Sequence, residues 1–205
     1  MIGITAELAN HEVVKRLLDE MPERLRDVTM EAANAAASIV KRGGYKLVPE
    51  TWNVPKEMVK DTMKTIRAKA GDESPTAIVT VKSGNIPLFK FTPDPSSIMG
   101  GKTTGGVSVL LGGRRAQFPN AFVAEMASGH RGIFTRTGKF GLIPGPRGGT
   151  KTEGIKELFA VSVPQMTEDV GKHRIPPALA NWAQAEFKAV FLRSCDAWLA
   201  AKGAK

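Results

Sequence analysis

A few residues in this chain have types and spacings that could support chemistry, and each needs particular neighbours. Gly100-Gly101-Lys102-Thr103 has the closing half of a phosphate-cradling loop. That motif also needs a glycine where Ser96 stands, a strand before it and a helix after it. Pro93 and Pro95 precede it instead, and Gly105-Gly106 leads into an extended segment. Gly138, Gly141, Gly145 and Gly148 do not follow the dinucleotide spacing, and no helix follows them to receive a pyrophosphate. His11, His130 and His173 are too far apart in sequence for a helical or turn-based zinc pair. Ser128 and His130 lie close together, but a Ser–His pair is defined by geometry and by an exposed nucleophile turn, which the surrounding sequence does not provide. Glu125 is the sole acid between Asp94 and Glu153, so the middle of the chain has no carboxylate pair for glycoside chemistry. Cys195 is the single cysteine, which excludes an intrachain disulfide or a cysteine metal cage. Phe191, Leu192 and Trp198 around it indicate a helix face and a buried, inert thiol. The expectation is a non-enzyme with no catalytic residue, cofactor or metal.

What remains is charge. The formal charge is +9 over 205 residues, which suits an acidic partner: nucleic acid, an anionic surface or an acidic protein. The basic residues concentrate in a glycine-punctuated block, Gly105 to Met166. From Arg114 to Lys156 they are Arg114, Arg115, Arg131, Arg136, Lys139, Arg147, Lys151 and Lys156, against only Glu125 and Glu153. Arg114, Arg115, Arg131, Arg136, Lys139 and Arg147 are the candidate residues facing a partner or DNA, since arginines suit phosphates and carboxylates alike. Phe118, Phe122, Phe134 and Phe140 are read as core residues at strand spacing, not as a stacking platform for bases.

The elements that must position this block follow from periodicity. Residues 1–72 are expected to be helical. Val13, Val14, Leu17, Leu18 and Met21 recur at helical spacing. Pro22 opens a second helix with an alanine-rich middle, Ala32–Ala37, small enough for another helix to approach closely or for a sheet to lie against it. Gly43-Gly44 is expected to end it. Asn53 is read as the N-cap of a third helix, with Lys56, Lys60, Lys64 and Arg67 forming one basic stripe. Residues 76–166 are expected to form a mostly antiparallel sheet. Ala77–Val81 and Ile86–Phe91 are read as a hairpin, followed by strands at Gly106–Leu111, Ala121–Met126, Gly132–Arg136 and Ile155–Val163, the last ended by Pro164. Residues 92–104 and 138–154 are read as long loops. A closing helix spans 177–201, with Leu179, Trp182, Ala183, Phe187, Val190 and Phe191 on its apolar face. The fold class is α+β, as a single domain over 1–205. The apolar runs are too short to span a bilayer, and Met1–Asn10 lacks the layout of a signal peptide. A chain that folds in the cytosol and has no membrane partner is therefore expected.

Phe118-Pro119-Asn120-Ala121-Phe122, followed by Met126-Ala127-Ser128-Gly129-His130-Arg131-Gly132-Ile133-Phe134, resembles the minor tail protein Z family of tailed phages, the lambda-type tail completion proteins. Arg136-Thr137-Gly138, Ile155-Lys156-Glu157-Leu158 and Ser162-Val163-Pro164-Gln165-Met166 fit the same pattern. The resemblance covers most of the chain in order and is specific over about residues 105–166. It implies a structural virion protein at the head-proximal end of a tail, assembled in the host cytoplasm, that completes the tail and supports head–tail joining. Its implied partners are copies of itself in a ring, hexameric where the ring follows the tail's symmetry, the tail terminator and other neck or tail proteins. Non-specific contact with DNA in the lumen is compatible with the basic block. The family has no catalytic residues to carry over. The alternative is a non-specific DNA-binding module of phage origin.

Overall fold

The computed structural model describes residues 22–91, 106–143, 149–168 and 175–203. The expected helix over residues 13–21, the loop expected at 92–104 and Arg147 lie outside them. The described elements, in chain order, are α1 (Pro22–Trp52), α2 (Lys56–Lys60), β1 (Met63–Ile66), β2 (Ile78–Val81), β3 (Asn85–Pro87), a 3-10 turn at Leu88–Lys90, β4 (Val107–Leu111), β5 (Arg114–Phe118), β6 (Ala121–Glu125), β7 (Arg131–Ile143), β8 (Thr150–Glu157), β9 (Phe159–Ser162), α3 (Val163–Glu168) and α4 (Ile175–Gly203). All strand pairs are antiparallel, and the class is α+β. Among the described residues no helix is long and apolar enough to cross a membrane. Residues within Met1–Leu47, Val59–Lys82 and Thr167–Lys205 form one unit, and those within Val48–Met58 and Ser83–Met166 form another.

In the first unit, α1 and α4 pack antiparallel. Val28 and Ala32 of α1 share a buried cluster with Phe191 and Cys195 of α4, and Phe187 stacks on Phe191 with ring centroids 5.9 Å apart. Burial pushes the Cys195 thiol up, and the neighbouring Asp196 adds to the effect. Gly43 and Gly44 do not end α1, which continues to Trp52. They open it on two sides. A Cβ on Gly43 would lie 2.6 Å from Leu179 Cδ2 and 2.9 Å from the Trp182 indole, and one on Gly44 would lie 2.6 Å from Met63 Cε. α4 thus approaches α1 closely at Gly43 and β1 at Gly44. The helix ends instead at Asn53, whose φ of 56° is the left-handed conformation that asparagine tolerates as a helix stop. This conformation also excludes the N-cap role expected for Asn53, which requires extended backbone.

The third helix is a short one. Thr62 turns the chain after Lys60, with its N–H and its hydroxyl both donating to Val59 O at 3.1 and 2.7 Å. Met63–Ile66 then pairs with Ile78–Val81. Lys56 and Lys60 stay on a helix while Lys64 falls on a strand, so the four-residue basic stripe does not form. Met63 and Ile66 suit helical spacing, but Met63 and Thr65 also alternate, and pairing with β2 decides for the strand. Since β2 is taken by β1, the expected hairpin between 77–81 and 86–91 is absent as well. β3 pairs with β9, and Leu88–Lys90 is a 3-10 turn.

In the second unit the buried side chains include Val48, Ile86, Leu88, Phe91, Val107, Val109, Ile133, Val163 and Met166. Trp52 Nε1 donates to Met166 O at 3.2 Å. β4 and β5 form a tight hairpin through Gly112 and Gly113, with φ of 55° and 73°, as a two-residue turn with both φ positive requires. Leu158 is a corner: its N–H donates to Ile133 O at 2.8 Å and its carbonyl accepts from Leu88 N–H at 3.0 Å. The strand expected over 155–163 is therefore split there. Pro164 does not end a strand but sits in the first turn of α3, where a proline N–H is not missed. Gln165 Oε1 accepts from Ser162 N–H at 2.9 Å, closing a capping box.

Two outcomes follow. Alanine in place of a helical glycine ordinarily stabilises by about 1 kcal/mol. Gly44→Ala should show that gain in urea denaturation, because the Met63 thioether can swing away. Gly43→Ala should lower the midpoint, because Leu179 and the indole are packed. Above the ordinary thiol pKa the unfolded chain loses the Cys195 proton before the folded chain does. Stability should therefore fall as pH rises through that range, and Cys195→Ala should flatten this part of the pH profile.

Candidate functional site

The basic block folds as the sheet β6–β7–β8 beside the β4–β5 hairpin. Between β6 and β7 the chain turns at Met126–His130. Met126 N–H donates to His130 O and Gly129 N–H to Met126 O, both at 2.8 Å, with Gly129 at φ 82°. The Met126-Ala127-Ser128-Gly129-His130 stretch quoted above is thus a hairpin turn. It places Arg131 directly opposite Glu125, and the two form an ion pair. Three pairs further along, Phe122 faces Phe134 with ring centroids 6.3 Å apart, and the Arg136 guanidinium lies 5.4 Å above the Phe122 ring. His130 Nε2 meets Glu157 Oε1 at 3.0 Å, and its ring stands edge-on to Phe134. Gly132 leaves room for that carboxylate, since a Cβ there would lie 2.8 Å from Glu157 Oε1.

Past Arg136 the register of β7 against β8 shifts. Arg136 faces Ile155, but Phe140 faces Glu153, so three residues of β7 oppose Gly154 alone. Glu153 secures this bulge. Its Oε1 accepts the Gly138 N–H at 3.0 Å and its Oε2 accepts from Arg136 Nη1 at 3.1 Å. Gly138 has φ 71°, the conformation a glycine bulge uses. Thr137 Oγ1 donates to Gly154 O at 2.9 Å. Beyond the bulge the strands remain paired from Phe140↔Glu153 to Ile143↔Thr150. Much of the loop expected over 138–154 is therefore a paired β-arm. The ladder prevails over the glycine content because Gly138 is needed at the bulge and Gly149 lies against Leu142, where a Cβ would sit 2.5 Å away.

The structure sorts the charged candidates into groups. Arg131 and Arg136 are both on β7 and both are neutralised within the chain. The two acids between Arg114 and Lys156, Glu125 and Glu153, are thereby used. Lys139 is exposed in the bulge, three residues past Arg136. Arg114 and Arg115 are exposed on a different hairpin, next to the Gly112-Gly113 turn, where Arg115 Nη1 donates to Ser108 Oγ at 3.2 Å. His130 has a carboxylate partner, but no hydrogen bond joins it to Ser128 among the described residues. No three His, Cys, Asp or Glu side chains converge among those residues.

Sequence reasoning missed the arm's apolar face. Phe140 is 60% exposed and Leu142 71% exposed, two residues apart on β7, with Ile155 exposed on β8. Phe140 is thus not the core residue expected of it. Lys151 Nζ sits 5.4 Å over its ring. The Phe-Gly-Leu alternation was the available signal.

No family model matches the chain, and no curated protein or solved structure shows significant similarity to it.

The bulge makes a local prediction. Glu153→Ala should speed hydrogen exchange at the Gly138 amide and expose the arm to protease. The β6–β7 amides should stay protected, and global stability should fall by no more than about 1 kcal/mol, the scale of an exposed ion pair.

Proposed function

We propose that this protein is a structural subunit at the head-proximal end of a phage tail, where copies form a ring with the tail terminator and other neck proteins. The observation that carries the reading is the β7–β8 arm. A two-stranded hairpin is marginal alone, and this one presents Phe140 and Leu142 to solvent beyond its bulge. Such an apolar pair gains free energy when a neighbouring subunit covers it. Ring subunits meet through unlike surfaces, and a projecting arm is one means of reaching the next copy. The resemblance over residues 105–166 supports the same reading, its motifs lying on β6, the Met126–His130 turn, β7 up to Gly138 and β8 from Ile155. The arginine pairs bear on the partner. Arg131 and Arg136 serve to build the sheet and the bulge, while the exposed Arg114 and Lys139 suit an acidic surface.

Imaging of purified tails by electron microscopy should place the protein at the head–tail junction; a location elsewhere would reject the reading. The double variant Phe140→Ser with Leu142→Ser should weaken self-association or tail incorporation at least tenfold, with an unchanged circular dichroism spectrum. The DNA-binding alternative draws on the exposed Arg114-Arg115 pair. It expects duplex affinity to fall steeply with salt and to be reduced in Arg114→Gln with Arg115→Gln.

A further inference from the structure

The first unit holds a second basic feature, independent of the tail reading. α1 presents Ser38, Lys41, Arg42 and Tyr45 at positions i, i+3, i+4 and i+7, one face of a helix. The chain of β1 runs beside that face with Thr65 and Arg67. These six residues line an open concavity of about 380 Å³, a size at the lower end of small-ligand sites.

Two tethers hold it open at a fixed width. At one end Asn34 grips the Ala68 backbone with both side-chain atoms, Nδ2 to Ala68 O at 3.1 Å and Oδ1 from Ala68 N–H at 2.9 Å. At the other end Tyr45 Oη donates to Met63 O at 3.2 Å. From Asn34 to Tyr45 the helix rises about 16 Å, and from Met63 to Ala68 an extended chain covers about 16 Å. Helix and strand are thus matched in length between the tethers, and the concavity lies between them.

The lining contains three cations and no acid. Lys41 Nζ rests 5.7 Å from the centroid of the Tyr45 ring, which orients it. Two of the three hydroxyls are already used as donors: Ser38 Oγ donates to Asn34 O at 2.8 Å, and Tyr45 donates as above. Thr65 Oγ1 is different. It is shielded from solvent and has no hydrogen-bond partner among the described residues. A buried hydroxyl left in this state is destabilising.

We infer that this concavity is a binding site for a phosphate group, held by Lys41, Arg42 and Arg67. Arginine forks match phosphate oxygens two at a time, and the lysine adds a point charge. The Tyr45 ring is occupied by Lys41, and the other lining side chains carry no aromatic ring for a base to stack on. Recognition is therefore of the phosphate, whether it belongs to a free phosphorylated molecule or to a nucleic-acid backbone.

Titration calorimetry of the full chain with pyrophosphate, and separately with a short single-stranded oligonucleotide, tests this. Pyrophosphate should bind at millimolar concentration or below. Arg42→Gln with Arg67→Gln, both exposed positions, should weaken it at least tenfold, while Arg114→Gln with Arg115→Gln leaves it unchanged. Thr65→Val should keep or raise the thermal midpoint, because it removes the unpaired hydroxyl from a strand position, and leave pyrophosphate binding unchanged. Oligonucleotide binding lost in the same Arg42/Arg67 variant would assign the phosphate to a nucleic-acid backbone. Pyrophosphate binding alone would assign it to a free molecule. The proposal is overturned if pyrophosphate does not bind, if the Arg42/Arg67 and Arg114/Arg115 variants weaken it equally, or if the Arg42/Arg67 variant binds like the parent chain.

Discussion

The carboxylate of Glu153 sits where three requirements meet. One oxygen holds the Gly138 amide, which would otherwise lack a partner in the bulge, and the other holds Arg136, whose guanidinium in turn covers Phe122. Through this one side chain the shape of the arm, the neutralisation of an arginine and the packing of an aromatic on the neighbouring strand are coupled. Without the bulge the seventh strand would run on in its first register, and Phe140 would meet a different neighbour. The exposed position of the apolar pair is thus a consequence of how a charge is satisfied farther down the strand.

A comparable economy governs the helical unit. Two adjacent glycines, about 100° apart around a helix, admit a second helix on one side and a strand on the other. The asparagine clamp and the tyrosine tether then fix the strand against the helix. The fold there depends on where side chains are missing as much as on where they pack.

The sequence displays some of this and hides the rest for identifiable reasons. The start of the long helix at Pro22, the closing helix and the buried Cys195 were legible because proline position and apolar periodicity are local signals. So was the α+β class. Gly43-Gly44 misled because a glycine pair looks the same whether it stops a helix or makes room for Leu179 and Met63. The helix expected past Lys60 failed because Met63 and Ile66 fit two periods, and only the partner strand chooses between them. The arm was read as a loop because it is rich in glycine and proline, and linear sequence does not reveal that Gly138 takes positive φ at a bulge within a paired ladder. The Arg131–Glu125 pair could have been found, since six residues with a glycine turn between them is hairpin spacing. The Arg136–Glu153 pair could not, because it depends on a register shift. The Ser162-x-x-Gln165 capping-box pattern was present in the sequence and gives the start of α3.

Leu158 adds a mechanical consequence. The N–H of this single residue is bonded to Ile133 and its carbonyl to Leu88. It rivets the base of the arm to β7 and to the 3-10 turn at once. Antiparallel hydrogen bonds lie across the strand direction, so tension along the arm loads its rungs in parallel, whereas a sideways tug peels them one after another from the tip. The bulge interrupts that peeling after four pairs, leaving three between it and the rivet. The arm is therefore built to yield at its outer end while its root holds, the behaviour of a compliant strap on a stiff frame.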